Sequence, residues 1–235
     1  MARVFQLKST AIEKRASSRL GIDYDALLND EQRAVVLADK KPLLVLAGAG
    51  SGKTRALTYR VARFIDEGIA PEQILLLTFT NRAASSMLER VASIIDGHAA
   101  QRVMGGTFHH VANAILRRHA EAIGYGENFT IIDREDARDV MDASVTDAKI
   151  KVTQERFPKA DVLLDLASIT INTQKPARDI LLDRAPRFAH LADEIMAVCQ
   201  AFVKRKVDRN LMDFDDLLMN WKVLLEEGGP LAQQI

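Results

Sequence analysis

The chain alternates apolar runs of strand length with longer stretches in which apolar residues recur every three or four positions. The first run is Leu43-Leu44-Val45-Leu46. It breaks into small residues, Ala47-Gly48-Ala49-Gly50-Ser51-Gly52-Lys53-Thr54, and a helical pattern follows at once. Over 55–66, Leu57, Val61, Phe64 and Ile65 share one helical face, and Gly68 supplies a stop. Ile74-Leu75-Leu76-Leu77-Thr78-Phe79-Thr80 reads as a parallel strand buried on both faces. Asn81 is placed to cap the next helix, whose buried stripe is Ala84, Met87, Leu88, Val91, Ile94 and Ile95. Strand, helix, strand, helix is the signature of a doubly wound α/β sheet. Ligands of such sheets lie beyond the carboxyl ends of the strands, where both the Gly-rich loop and the Thr78–Asn81 turn fall.

Residues 1–27 show no periodicity and read as an extension. In Leu28-Asn29-Asp30-Glu31-Gln32, Asn29 is a helix N-cap and Gln32 stands at the capping-box position. On that pattern alone the Gln32 amide returns to the cap backbone; the sharper role is contact with a purine edge, to which one amide can donate and from which it can accept. From about residue 105 the character changes. Val103–Thr107 predicts a short strand and turn, and Phe108–Ile123 a helix with Val111, Ile115 and Leu116 inward and Gly124 beyond its end. Phe129–Asp133 is a brief extended piece with Asp133 as the next cap. Helices are expected over 134–144, 147–156, 161–173, 188–207 and 213–227, broken at Pro158, Pro176 and Pro186. The weakest is 161–173, because Ser168, Thr170, Asn172 and Thr173 are poor helix formers.

The chemistry concentrates in 47–54. Glycines let the backbone curl so that several N–H groups face one anion. The following helix adds its unpaired N–H groups and the positive end of its dipole. Lys53 would reach β- and γ-phosphates, and the Thr54 hydroxyl would hold Mg²⁺. The usual loop opens with Gly where this chain has Ala47, a place Ala can take if its φ is negative. Elsewhere, adjacent His109 and His110 point different ways on a helix and lack a Cys or carboxylate cluster, which excludes a metal pair. The Lys204-Arg205-Lys206 run with Arg209 reads as a solvated helix end rather than a phosphate contact. Phe214, Leu217, Leu218 and Trp221 share a face and read as packing.

Composition adds little. Lys plus Arg and Asp plus Glu number 32 each, so any nucleic-acid binding must come from a local patch. Hydrophobic residues make up 48% and charged residues 27%, ordinary for a globular protein. One cysteine, Cys199, suits a reducing compartment. No run has transmembrane length. The early Arg3, Lys8, Lys14, Arg15 and Arg19, interrupted by Glu13, make a leader extension rather than a secretory signal. The expected location is cytoplasmic, with no membrane partner.

Together these motifs resemble the N-terminal part of superfamily 1 DNA helicases of the UvrD/Rep/PcrA type, from about Leu28 to the end. The resemblance implies a P-loop (RecA-like) parallel-sheet portion over 28–105 and a mainly α-helical, DNA-contacting insertion over 106–235. Leu28–Gln32 is similar to the family's Q motif, which favours adenine contact by Gln32. Ala47–Arg55 is similar to its first motif; Ala is common there at the opening position, and Arg55 matches an arginine that packs on the adenine. Thr78-Phe79-Thr80-Asn81-Arg82 resembles motif Ia, in which the aromatic stacks on a base of single-stranded DNA and the turn meets the backbone. The residues alone leave Phe79 equally open as a core aromatic. Arg82 stands where the family more often has Lys. Gly106-Thr107-Phe108-His109 resembles motif Ib, a further DNA contact. Phe129–Asp133 and Leu211–Leu218 match two more landmarks of the insertion.

Hydrolysis of ATP needs a strand ending in Asp-Glu to hold Mg²⁺ and activate water. Ile131-Ile132-Asp133, Val162–Asp165, Ile180–Asp183 and Val223–Glu227 do not supply it. The resemblance therefore implies an incomplete first motor domain, taken from an ATP-dependent 3′–5′ translocase that unwinds duplex DNA at a single-strand junction. The chain itself is expected to bind nucleotide and single strands weakly and not to turn over ATP, its second motor domain lying elsewhere. It is also short of strands, so an open sheet side is expected to associate. Two other readings stand: a self-contained P-loop NTPase or nucleotide kinase with a helical lid, and a non-catalytic DNA-binding module.

Overall fold

The computed structural model describes residues 18–148, 157–227 and 229–233. The chain divides into two compact units, Met1–Thr107 and Phe108–Ile235.

In the first unit the helices are α1 (Tyr24–Leu27), α2 (Asp30–Leu37), α3 (Lys53–Asp66), α4 (Asn81–Ile94) and α5 (Gly97–Gln101), with strands β1 (Leu75–Thr78) and β2 (Met104–Thr107). Asn29 caps α2 as expected, its Oδ1 accepting from the Gln32 N–H at 2.8 Å. For α4 the cap is Thr80, not Asn81: Thr80 Oγ1 accepts from the Ala83 N–H at 3.2 Å, and Asn81 is the first helical residue. The stripe of α4 is as predicted, with Met87, Val91 and Ile95 buried against Val61, Ala62, Ile74, Leu76 and Val103. A second cluster gathers Leu28, Val36, Ala56 and Tyr59 between α2 and α3. So α3 buries Ala56, Tyr59, Val61 and Ala62, whereas Leu57 is exposed, and the predicted face is rotated. The reason is that α3 serves two neighbours, α2 and α4, rather than one sheet. β1 and β2 run parallel in register from Leu75 opposite Met104 to Thr78 opposite Thr107. Gly105 lets Leu88 pack close to the strand, since a Cβ there would lie 2.8 Å from Leu88 Cδ2 and the leucine would have to shift.

Two strand expectations need correction. Leu43–Leu46 belongs to no ladder, and Leu44 and Leu46 are 82% and 84% exposed. The apolar pattern of a central strand is present, but a ladder needs a neighbour, and no described strand pairs with it. β1 is buried at Leu76 but exposed at Leu75, because the two-stranded sheet is covered on one face only among the described residues.

The second unit contains α6 (Phe108–His119), β3 (Thr130–Ile131), α7 (Arg134–Asp147), α8 (Ala160–Thr173), α9 (Ala177–Arg184), α10 (Ala192–Asp208), β4 (Leu211–Met212) and α11 (Phe214–Glu227). Short 3₁₀ turns span Ala120–Ile123 and Pro186–Leu191, and Gly124 ends the first of them in the left-handed region at φ +82°. Asp133 caps α7 as expected, accepting from the Glu135 and Asp136 N–H groups at 2.8 and 3.0 Å. The weak helix α8 forms over its predicted span because Leu163, Leu164 and Leu166 are buried, while Thr170 and Thr173 bond back to the carbonyls of Leu166 and Ile169. The helix expected over 147–156 lies outside the described residues from 149 onward; Asp147 closes α7. α9 was not expected. The core packs Met141, Leu163, Leu181, Ile195, Val198 and Phe202. β3 and β4 pair in parallel, Thr130 with Leu211 and Ile131 with Met212. Asn210, at φ +56°, fixes this clasp through Gly126 N–H and Asn128 Oδ1.

The basic run is a solvated end only in part: Lys204 and Arg209 are exposed, whereas Arg205 is half-buried and Lys206 fully buried. Lys206 is fully buried between Asp213 and Asp216, Lys204 pairs with Asp208 and Arg205 with Asp147. The run's charges are largely met by carboxylates within the unit.

Candidate nucleotide-binding loop and exposed aromatic residues

The loop 47–52 is held by its own polar groups. Gly50 and Gly52 take φ of +78° and +85°, values open to glycine and strained for other residues. Ala47 is not among the positive-φ positions, so the missing first glycine costs the loop nothing. Ser51 Oγ donates to Gly48 O at 2.8 Å. Gly52 is the N-cap of α3 and offers no side-chain acceptor, so the first N–H groups of α3 remain available to an anion. Lys53, the first residue of α3, folds back over the loop: its Nζ donates to Ala47 O at 2.9 Å and Gly48 O at 2.6 Å. The ammonium thus stands inside the curl with the helix N-terminus behind it. Ala49 completes the turn, and Thr54 lies in the first turn of α3.

Gln32 is drawn to this loop. Its Nε2 donates to Ser51 O at 3.1 Å, and a Cβ on Gly52 would stand 2.3 Å from that nitrogen. The amide therefore reaches the loop backbone rather than serving only its own cap. Arg55 spans the other side, its Nη2 on Leu27 O at 2.9 Å and its guanidinium 5.0 Å from the centre of the Tyr59 ring. Gln32, the loop, Lys53, Thr54 and Arg55 are thus brought together within the first unit. The donor set suits a polyphosphate: ammonium, helix N–H groups and a glycine-framed backbone. For a hard cation it offers the Thr54 hydroxyl.

The residues singled out for DNA lie apart from this cluster in sequence. Phe79 follows β1 and is 89% exposed, which removes the core-aromatic alternative. Thr80, Asn81 and Arg82 form the start of α4 beside it. Thr107 ends β2. In the second unit, Phe108 opens α6 partly exposed, and His109 stands edge-on to Phe214, with ring centroids 5.8 Å apart at 77°. Phe214 was expected to pack; it is 54% exposed. Leu217 behind it is buried, so the shared face holds only from Leu217 onward. No helix among the described residues is long and apolar enough to cross a membrane.

A glycine-framed loop that leads into a helix N-terminus, with lysine drawn into the curl and a parallel strand pair in the same unit, defines a P-loop α/β protein of the RecA-like kind. A family model described as the UvrD/REP helicase N-terminal domain matches residues 28–235, and the chain belongs to that family. It is 38% identical over 193 residues to an ATP-dependent DNA helicase PcrA of Leuconostoc citreum, covering 82% of this chain and 25% of that protein. It is 35% identical over 201 residues to an ATP-dependent DNA helicase PcrA of Staphylococcus aureus strain Mu50, covering 85% and 26% respectively. The chain thus spans about a quarter of the length of the curated relatives it matches.

Proposed function

We propose that this chain is the nucleotide-gripping part of an ATP-dependent 3′–5′ DNA helicase, a protein that translocates on a single strand and unwinds duplex at a junction. The observation that carries the reading is the loop itself, with Lys53 bonded to Ala47 O and Gly48 O and Gln32 bonded to Ser51 O. When Mg-ATP binds, its γ-phosphate supplies the scissile bond. The role of this chain is to hold it. The N–H groups of Gly50, Ser51, Gly52 and Lys53 and the Lys53 ammonium would take the phosphates. The Thr54 hydroxyl would take Mg²⁺, while Gln32 and Arg55 would flank the adenine.

Phe79, Thr80, Asn81, Arg82, Thr107, Phe108 and His109 form the proposed DNA contacts. Exposure of Phe79 supports its use as a stacking platform, worth about 1–3 kcal/mol per base. We assign 28–105 to nucleotide binding and 106–235 to the DNA-contacting insertion, in a cytoplasmic protein. A second motor domain would supply the remaining γ-phosphate contacts.

Among the described residues no strand ends in an Asp-Glu pair. The chain by itself should therefore bind Mg-ATP without steady-state turnover. Hydrolysis measured with and without single-stranded DNA, beside Lys53→Ala, tests this. Turnover that the variant loses would replace this reading with a self-contained NTPase. Single-strand binding in a chain that binds no nucleotide would favour the non-catalytic module.

A further inference from the structure

The helix that carries Gln32 is clamped at its other end in an unusual way. α2 has no glycine at its C-terminus; Ala38 leaves the helix at φ −59°, ψ 149°, so its last carbonyls have no turn to satisfy them. Two arginines of α3 do so instead. Arg63 Nη1 donates to Val36 O at 2.6 Å and to Ala38 O at 3.2 Å. Arg60 Nη1 donates to Val35 O at 2.5 Å and Ala38 O at 3.1 Å, and its Nη2 to Asp39 O at 2.9 Å.

Arg63 is buried and paired with Glu67 at 2.5 Å, while Arg60 lies 4.9 Å above the Phe64 ring. Burial, and secondarily the charge of Arg63, lower the Arg60 pKa from its ordinary value. Two neighbouring cations are thus held together against one helix end, where the carbonyl dipoles favour positive charge. At the opposite end of α2, Gln32 reaches Ser51 O, and Arg55 reaches the carbonyl of Leu27, the last residue of α1 just ahead of it. Every one of these ties ends on α3 or on the loop that leads into it. α2 is therefore a strut fastened to the phosphate loop at one end and to the second and third turns of α3 at the other.

We propose that Arg60 and Arg63 are positioning residues for base recognition: they fix α2 so that Gln32 stands over the phosphate loop. They bond the carbonyls at the end of α2 remote from the loop, and their effect is transmitted through α2. The inference rests on the nucleotide-site reading above, and on Gln32 meeting the purine.

The test compares Mg-ATP with Mg-tripolyphosphate, which has the phosphates and no base, by calorimetry on the full chain. Arg60→Met is the primary variant, because Arg60 is partly exposed and the change keeps its hydrocarbon stem; Arg63→Met is the second, checked for fold by circular dichroism. The expected result is a loss of ATP affinity of about tenfold, the worth of one well-made hydrogen bond. Tripolyphosphate affinity should stay within about twofold of the unaltered chain, inside the spread of a surface change. Unchanged ATP affinity in Arg60→Met overturns the proposal. Parallel loss of both probes also overturns it, in favour of a purely structural clamp. If the unaltered chain binds neither probe, the nucleotide-site reading itself fails, and the proposal with it.

Discussion

Replacement of Lys206 by Met would test what holds the helical unit together. The Lys206 side chain is fully buried, with its ammonium 2.6 Å from a carboxylate oxygen of both Asp213 and Asp216 and 4.3 Å from the Phe202 ring centroid. The two carboxylates also close the start of α11 reciprocally: Asp216 Oδ2 accepts from the Asp213 N–H, and Asp213 Oδ1 from the Asp216 N–H, each at 2.9 Å. Met keeps the volume and helix preference of Lys and removes the charge. Removing one partner from a buried ion cluster costs about 3–5 kcal/mol. We expect the lower end, about 3 kcal/mol, because Asp213 keeps some solvent access and can rehydrate.

The pH dependence is a second signature. Burial raises the Asp216 pKa above its ordinary value, and the Lys206 charge opposes that rise. Without Lys206 the carboxyl titrates higher still. A carboxyl whose folded-state pKa exceeds its unfolded value binds more protons folded than unfolded between the two. Stability from that group therefore falls as pH rises through this window and is regained on acidification. The penalty of Lys206→Met should be largest near neutrality and shrink on acidification as Asp216 takes up its proton. Urea denaturation followed by the fluorescence of Trp221, the sole tryptophan and a residue of α11, reads the right unit. A penalty under about 1 kcal/mol, the value of an exposed pair, or one that is flat with pH, would refute the reasoning.

Gly52→Ala places a Cβ 2.3 Å from Gln32 Nε2 on a backbone at φ +85°, and should weaken Mg-ATP binding by about tenfold or more in calorimetry. Phe79→Ala should leave the urea midpoint within about 0.5 kcal/mol of the unaltered chain while weakening oligo-dT binding by about fivefold to 150-fold in anisotropy, the span of one lost stack. Leu44→Lys with Leu46→Lys should abolish concentration-dependent association in sedimentation, because both leucines are exposed; a parent chain that is already monomeric at all concentrations would reject association through this apolar run. Asn210→Ala removes the bonds to Gly126 and Asn128 at a left-handed residue, and should cost about 2 kcal/mol by denaturation.

The parts legible in the sequence are those that local pattern decides. Asn29 and Asp133 cap because their side chains meet N–H groups two or three residues on, and the stripe of α4 is a matter of spacing. The phosphate loop is legible because glycine, lysine and a following helix are contiguous. What escaped depends on partners far along the chain. Leu43–Leu46 has the composition of a buried strand, yet a ladder is made by neighbours, and no described strand provides one. Lys206 sits in a basic run, and only the fold brings Asp213 and Asp216 around it. Arg60 and Arg63 look like polar helix positions until the end of α2 lies beside them. α9 is short, follows Pro176 and buries only Ile180 and Leu181, so its periodicity was too brief to register.

The clasp of β3 on β4 has a consequence for how quickly the helical unit is made. Helical proteins fold fast because their contacts are local. Here two short strands must pair across a long stretch of chain, beside a bond from Gly126 to Asn210 that spans 84 residues. Loop-closure entropy is met before those few hydrogen bonds are formed. The helices α7 to α10 all lie inside the closed loop and can form beforehand. The slow step of folding should then be the docking of this clasp, giving a mostly helical unit the kinetics of a non-local topology.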